Sequence, residues 1–116
     1  MPPTSLPFDR VQVLENLGGD EALLKQIAEL FVADWPDSLA HLHAAIAAAD
    51  AEALRRAAHS VKGSVSNFGA ERAVQAAKDL EMAGKSGDLT QVASLAETAI
   101  QAVEEVVAAL KREIAS

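Results

Sequence analysis

The sequence contains no cysteine, which excludes a disulfide framework, a thiol nucleophile and a cysteine-ligated zinc site. It contains no tyrosine either, and its aromatic residues are three phenylalanines and one tryptophan. Basic residues are also scarce: 10 Lys and Arg stand against 17 Asp and Glu, for a formal net charge of -7. Because proteins that bind nucleic acid usually carry the opposite charge balance, we expect no nucleic-acid partner.

No segment of the chain is apolar over the length of a membrane span. The longest stretch without Asp, Glu, Lys or Arg covers residues 38–49, and its twelve residues are too few to cross a bilayer as a helix. The first eight residues, MPPTSLPF, have neither a basic segment nor a long apolar core, so no signal peptide is visible. We therefore expect no membrane partner and a cytoplasmic location.

Alanine, by contrast, occupies 25 of the 116 positions. It has the highest helix propensity of all residues, and no segment alternates β-branched and polar residues as a half-buried strand would. The sequence therefore predicts an all-α fold. Capping residues and glycines divide the chain into helices over residues 8–17, 20–49, 50–68 and 70–83 and a last one from residue 88, and Pro36 is expected to end or kink the second of them.

The predicted connections are short, so successive helices should pack antiparallel. We expect an up-down antiparallel four-helix bundle with a short additional N-terminal helix, forming one domain over residues 8–116. Residues 1–7, which include three prolines, are expected to be a flexible lead-in. Gly84 and Gly87 interrupt the helical pattern, so we expect a loop over residues 84–87. Asp88 and Gln91, just after it, have the spacing of a capping box and predict the start of the last helix.

The helix predicted from Asp50 to Phe68 has two distinct faces. When residues are placed 100° apart, one stripe is apolar and belongs to the core: Leu54, Ala57, Ala58, Val61, Val65 and Phe68. A second cluster lies on the flank of the helix: Arg55, His59, Lys62 and Ser66, with Gly63 at its edge. The pattern therefore places His59 at the surface rather than in the core.

Two features of this flank are unusual for a solvated helix. Gly63 costs about 1 kcal/mol relative to alanine in a helix interior, which is unexpected in a chain so rich in alanine. The His59 imidazole is flanked by Arg55 and Lys62 and has no carboxylate three or four residues away. Two neighbouring cations disfavour protonation of the ring and would stabilise a phosphoryl group attached to it. The pattern predicts a phosphate-accepting histidine, with Gly63 leaving room for another protein to approach.

The run AHSVKGSVSNFGA at residues 58–70 closely resembles the signature of histidine-containing phosphotransfer (HPt) domains, roughly A-H-[ST]-[LV]-K-G-S-x-x-N-[LF]-G-A. All eleven specified positions of this thirteen-residue pattern agree in spacing and residue type, so the signal is specific. The resemblance extends over nearly the whole chain through further positions: Gly18-Gly19-Asp20, Phe31, Leu80-Glu81 and Gly87-Asp88.

The resemblance implies that the chain is a phosphorelay intermediate in two-component signal transduction. His59 would accept a phosphoryl group from a receiver-domain aspartate, or from a kinase, and pass it reversibly to another receiver. Lys62 would hold the phosphoryl group, and Gly63 would leave room for the receiver. Position 66 is often Gly or Ala in the family, and Ser66 could bond the phosphoryl group or the ring through its hydroxyl.

The same resemblance implies partners and supporting residues. The partners would be receiver domains of response regulators, a hybrid sensor histidine kinase, or both. The receiver would bring Mg²⁺, so no cofactor and no metal are expected on this chain. Arg55 is a further candidate for phosphoryl stabilisation and docking, and four residues would support the motif: Ser60, Ser64, Asn67 and Gly69.

Two other functions are compatible with parts of the sequence. One is a helical adaptor without phosphotransfer, and the other, indicated by Asp37-Ser38-Leu39, is an acyl-carrier-like protein modified on Ser38. His41 and His43 point about 200° apart on a helix and cannot chelate one ion. No Gly-rich nucleotide loop is present, so we expect a phosphohistidine carrier without autokinase activity rather than an enzyme. We also expect a free-standing, monomeric protein.

Overall fold

The computed structural model describes residues 7–115, and every element of secondary structure in that range is a helix. The predicted all-α fold is confirmed. The first six residues of the predicted lead-in lie outside the described residues. The helices are α1 (Arg10–Asn16), α2 (Glu21–Ala47), α3 (Ala51–Ser66), α4 (Glu71–Ser86) and α5 (Val92–Ala115).

The four long helices form a closed ring of neighbours. Helix α2 packs against α3 and α5, and α4 packs against the same two helices, with the most extensive contact between α3 and α4. Because short connections join successive helices, each chain reversal brings consecutive helices side by side, as in an up-down bundle. The short α1 packs on α2.

Apolar side chains from all five helices meet in one core. Helix α3 contributes the stripe predicted for it, with Leu54, Ala58, Val61 and Val65 buried. Phe68, just beyond the end of α3, is 2% exposed and packs its ring against those of two other phenylalanines. The ring centroids of Phe68 lie 5.4 Å from Phe31 and 6.4 Å from Phe8. The flank of α3 that carries His59 is therefore the outer side of a helix that is firmly packed in the core.

The N-terminal segment is tied to one end of the bundle. The Asp9 amide donates to the Phe68 carbonyl at 3.0 Å. The Arg10 guanidinium donates to Glu113 through Nε at 2.8 Å and to Glu21 through Nη2 at 2.9 Å. These hydrogen bonds raise the pKa of Arg10, the one to Glu113 contributing most. The segment before α2 thus joins α3, the start of α2 and the end of α5.

Three of the predicted helix boundaries are confirmed by their capping geometry. The Asp20 side chain accepts from the Leu23 amide, and the Asp50 side chain accepts from the Ala53 amide, each at 3.0 Å. A carboxylate here satisfies an amide that has no partner within the helix. After α3 the backbone of Gly69 has φ of +61°, a left-handed conformation that stops the helix.

Pro36 does not end the second helix. Helix α2 continues through it from Glu21 to Ala47, so an end near Trp35 is wrong. Proline removes one hydrogen bond from a helix interior, but buried residues on both sides of it, among them Trp35 and Leu42, seat the whole length of α2 on the core. Ser38 consequently lies inside a helix and is half-buried. This position argues against the acyl-carrier interpretation, which requires a serine at a helix start.

Two further boundaries differ from the prediction. Helix α4 extends to Ser86, so Gly84 is a buried helical residue and only Gly87 adopts a left-handed conformation, with φ of +81°. The prediction that Asp88 forms a capping box is also wrong, because α5 begins only at Val92. Asp88 Oδ1 instead accepts from the amide and the hydroxyl of Thr90 and closes a local turn. These two bonds lower the pKa of Asp88.

Two absences concern the described part of the chain. No helix within residues 7–115 is long and apolar enough to cross a membrane. No group of three or more metal-ligating side chains occurs in that range. His41 and His43 line different grooves of the bundle, which agrees with their predicted divergence.

We expect Pro36→Ala to raise the free energy of unfolding by about 1–2 kcal/mol. Restoring a helical amide recovers most of the ~3 kcal/mol that proline costs in a helix interior, and the unfolded chain gains about 1 kcal/mol of freedom. Urea unfolding checks this, with Ala40→Gly on the same exposed side as a control that should lose about 1 kcal/mol. A loss of stability in Pro36→Ala would mean that the packing of α2 depends on the proline.

Candidate functional site

The His59 side chain lies at the surface of α3 and is 63% exposed. It occupies this flank because the core stripe of α3 turns Ala58 and Val61, its near neighbours, into the bundle. Lys62 follows one turn later and is only 28% exposed. The structure therefore places the imidazole where another protein can reach it, as the sequence predicted.

Both side chains are held by one carboxylate from the neighbouring helix. Glu81 on α4 places Oε2 2.7 Å from His59 Nδ1 and Oε1 2.7 Å from Lys62 Nζ. The Glu81 side chain is 14% exposed, so the carboxylate is largely shielded from water, whereas the imidazole is not. A single carboxylate thus sets the orientation of the two predicted phosphoryl-handling residues.

The ionisation of Glu81 determines which nitrogen of His59 is free. The hydrogen bond from Lys62 holds the pKa of Glu81 below its ordinary value of 4.5, with a further contribution from His59 and against the effect of burial. An ionised carboxylate can only accept hydrogen bonds, so we assign the proton of a neutral ring to Nδ1. Nε2 then carries the lone pair and is the nucleophilic atom of the ring.

Arg55 is not free to act as a second cation beside the imidazole. Its guanidinium forms a fork with Glu52 on its own helix, Nε to Oε1 at 3.0 Å and Nη2 to Oε2 at 2.6 Å. The pair raises the pKa of Arg55 and lowers that of Glu52. The predicted environment of two cations without a carboxylate is therefore wrong: Glu52 occupies one cation, and Glu81 contacts the ring itself.

Gly63 leaves an open surface beside the ring. A Cβ atom built on Gly63 would have no neighbouring atom of another part of the fold within 4 Å. The glycine is thus not required by packing within this chain, and its helix-propensity cost has no structural return here. The clearance predicted for this position is consistent with the geometry.

The serines of the motif bond within α3. Ser66 Oγ donates to the Gly63 carbonyl at 2.7 Å, and Ser64 Oγ donates to the Ser60 carbonyl at 3.1 Å. The Ser66 hydroxyl therefore does not bond the ring, one of the two roles that the sequence suggested for it. Asn67 caps the end of the helix. Together with Gly69, these residues shape the end of α3 rather than the immediate surroundings of His59.

A groove of about 570 Å³ runs along the end of α3 between α1 and α2. Ser66, the partner of the Gly63 carbonyl, belongs to its lining, and Leu30 and Phe31 of α2 contribute apolar surface. Leu30 is 64% exposed, which is high for a large apolar side chain. The open surface around Gly63 is therefore adjacent to an apolar one.

Glu81 is the site residue that sequence reasoning missed. The family resemblance includes Leu80-Glu81 but gives Glu81 no role at the site. One feature of the sequence could have indicated it: Glu81 directly follows buried Leu80 and so lies about 100° around α4 from it. A carboxylate at that angle borders the core and faces a neighbouring helix. Sequence alone does not say which residues of α3 it meets.

Comparison with known proteins agrees with this geometry. The model of the Hpt domain family matches residues 26–113, most of the chain. The chain belongs to the Hpt domain family. A crystal structure of histidine-containing phosphotransfer protein B (HptB) from Pseudomonas aeruginosa PAO1 superposes on this Hpt domain with a TM-score of 0.86 and 32% identity, covering 95% of this chain and 96% of that one. Comparison with curated protein sequences gives no match.

Membership of the family confirms the predicted resemblance and the helical-bundle fold. It also establishes the general role: this Hpt domain is a histidine phosphotransfer carrier of phosphorelay signalling, a module that carries phosphoryl groups. The partners implied at this level are response-regulator receiver domains or kinases.

The contacts of Glu81 with His59 and Lys62, here called the Glu81 bridge, should stabilise the Hpt domain at neutral pH and be lost in acid. Since the pKa of Glu81 is lowered by folding, its contribution is complete above about pH 4.5 and is lost as the pH falls through the lower folded value. The free energy of unfolding, measured in urea between pH 6 and pH 3, should therefore fall more steeply for the wild type than for Glu81→Gln. Parallel curves for the two proteins would show that the bridge does not stabilise the fold.

Proposed function

We propose that His59 is the phosphoacceptor of this Hpt domain and that it shuttles a phosphoryl group between receiver-domain aspartates. One observation carries the proposal: an exposed imidazole has its Nδ1 held by Glu81 and its Nε2 free, beside an open glycine surface. Nε2 attacks the phosphorus of the aspartyl phosphate on an incoming receiver. The new N–P bond forms as the acyl P–O bond breaks, and the receiver aspartate leaves as a carboxylate.

Glu81 keeps the proton on Nδ1 through this transfer. Phosphorylation of Nε2 with a proton on Nδ1 places positive charge on the ring, and the carboxylate 2.7 Å away stabilises that charge. Lys62 Nζ lies 2.7 Å from the other oxygen of the same carboxylate, and its ammonium keeps further N–H donors for the phosphoryl group. Because phosphoryl transfer depends mainly on positioning and charge, so small a set of groups is sufficient.

The receiver is proposed to dock over Gly63 and the adjacent groove between α1 and α2. Leu30 supplies exposed apolar area there, and Ser66 lies where the open surface joins the groove. A small contact of this kind suits a carrier that must release each partner. We assign Arg55 at most a docking role, because Glu52 already engages its guanidinium.

The remaining expectations are proposals as well. The receiver is expected to bring Mg²⁺, and no step of the transfer is assigned to a metal on this chain. We propose that the domain acts as a monomer in the cytoplasm and does not phosphorylate itself from ATP. An adaptor that binds receivers without accepting phosphate is the competing function, and the next experiment separates the two.

His59→Gln should abolish phosphoryl acceptance and leave the unfolding midpoint nearly unchanged, because the ring is largely exposed. A receiver domain charged with a small-molecule phosphodonor is mixed with each variant, and intact masses are recorded at neutral pH and after brief acid treatment. His43→Gln, a change at another exposed histidine, is the matched control and should accept as the wild type does. A wild type that binds charged receivers without gaining an acid-labile phosphoryl group would support the adaptor instead.

Gly63→Leu should slow transfer by about tenfold or more while the fold becomes no less stable. The new side chain projects into open space, where it displaces the incoming receiver, and a small misplacement of reacting groups costs a large factor in rate. Leucine is also a stronger helix former than glycine, which costs roughly 0.8–1 kcal/mol relative to alanine. Single-turnover transfer rates and urea unfolding measure the two effects. A wild-type transfer rate in this variant would show that the receiver does not need the clearance.

A further inference from the structure

Gly84 lies at the closest approach of α4 to α3. It is buried, and it follows Glu81 by three residues, about one turn of the helix. A Cβ atom built on Gly84 would lie 2.7 Å from the Arg55 amide nitrogen, 2.8 Å from the Ala51 carbonyl oxygen and 3.0 Å from the Arg55 Cα. All three neighbours are backbone atoms of α3, so no side-chain rotation can make room.

Any residue larger than glycine therefore requires the two helices to separate. Carbon atoms in van der Waals contact lie about 3.5–4.0 Å apart, so α4 would have to withdraw by roughly 0.5–1 Å near this point. Gly63 differs in this respect, because a Cβ atom built there would meet nothing within 4 Å and no helix would have to move. Buried alanines suffice elsewhere on α4, at Ala73 and Ala77 for example, whereas a Cβ at position 84 would meet the backbone of α3, so glycine is a specific requirement there.

The Glu81 bridge depends on the same approach of the helices. Its oxygens reach across from α4 to His59 Nδ1 and Lys62 Nζ at 2.7 Å each, near the short end of the hydrogen-bond range. Glutamate is the longest carboxylate side chain, so no natural carboxylate could span a wider gap. A withdrawal of α4 one turn away would lengthen both contacts together.

We infer that Gly84 is a positioning residue for phosphotransfer: it lets α4 approach α3 closely enough for Glu81 to orient the His59 ring and engage Lys62. This inference rests on the proposed role of His59 as phosphoacceptor. Gly84 touches neither the ring nor an incoming phosphoryl group, and it acts through Glu81 alone.

The test combines Gly84→Ala, Glu81→Ala and the double variant, and measures single-turnover phosphoryl transfer from a charged receiver. We expect Gly84→Ala to lower the rate by about tenfold, and to lower it no further when Glu81 is already alanine, because both changes remove the same contact. The nitrogen-15 NMR shifts of the His59 ring provide a second readout. Loss of the preferred Nδ1–H tautomer is expected in all three variants.

Gly87→Ala is the matched control. It places a side chain at a left-handed backbone position at the end of the same helix, where a Cβ would meet nothing within 4 Å. It should therefore destabilise α4 through backbone strain and leave the His59 tautomer and the transfer rate as in the wild type. An equal loss of rate in this control would mean that general destabilisation explains the effect of Gly84→Ala.

Two results would overturn the inference: a wild-type His59 tautomer in Gly84→Ala, or rate losses that multiply in the double variant. Glu81→Asp covers the case in which Gly84→Ala does not fold, since it shortens the reach by one methylene with the helices unchanged. That variant should lose the tautomer and the rate as well, and its retention of both would refute the dependence on reach. The NMR readout needs no partner, so it is independent of whether His59 accepts phosphate.

Discussion

The carboxylate of Glu81 joins the two helices on which the site depends. Helix α3 carries the imidazole and the ammonium, α4 carries the group that orients both, and their interface is the most extensive in the bundle. A phosphoacceptor must be exposed, because another protein has to reach it, but an exposed side chain alone is poorly oriented. Here the orientation comes from a partner that is itself largely buried, and burial strengthens a charged hydrogen bond by excluding water.

This division of roles explains why the core of α3 is built so firmly. Val61 and Val65 lock one side of the helix into the bundle, and Phe68 fixes its end against two other rings. The flank of the helix then has little freedom to move. The site itself adds only modestly to stability, because His59 is exposed and ion pairs with an exposed partner contribute at most about 1 kcal/mol. Precision at the site is therefore provided by apolar packing elsewhere.

Much of the fold was predictable because its signals are local. The caps at Asp20 and Asp50, the apolar stripe of α3 and the exposed position of His59 follow from periodicity and short-range hydrogen bonding. The exceptions involve contacts between distant segments. Pro36 does not end α2, because packing on both sides outweighs the loss of one helical hydrogen bond. Gly84 lies in a helix rather than in the predicted loop, because a glycine in the sequence looks the same in a turn and in a close helix contact.

The site shows the same limit. His59, Lys62 and Gly63 share a face of one helix, so their spacing reveals them. Glu81 belongs to another helix, and only the register between α3 and α4 determines that it meets the ring. The sequence of α3 alone therefore shows the two cations near His59 but not the carboxylate that contacts its ring.

The hydrogen bonds that Arg10 donates to Glu113 and Glu21 have a different consequence. Its partner Glu113 lies 103 residues further along the chain, so the first and last helices are joined within hydrogen-bond distance at one end of the molecule. A domain whose first and last helices meet in this way can be inserted into a surface loop of a larger protein without disrupting the bundle. The architecture is thus suited to insertion as a unit within a larger protein.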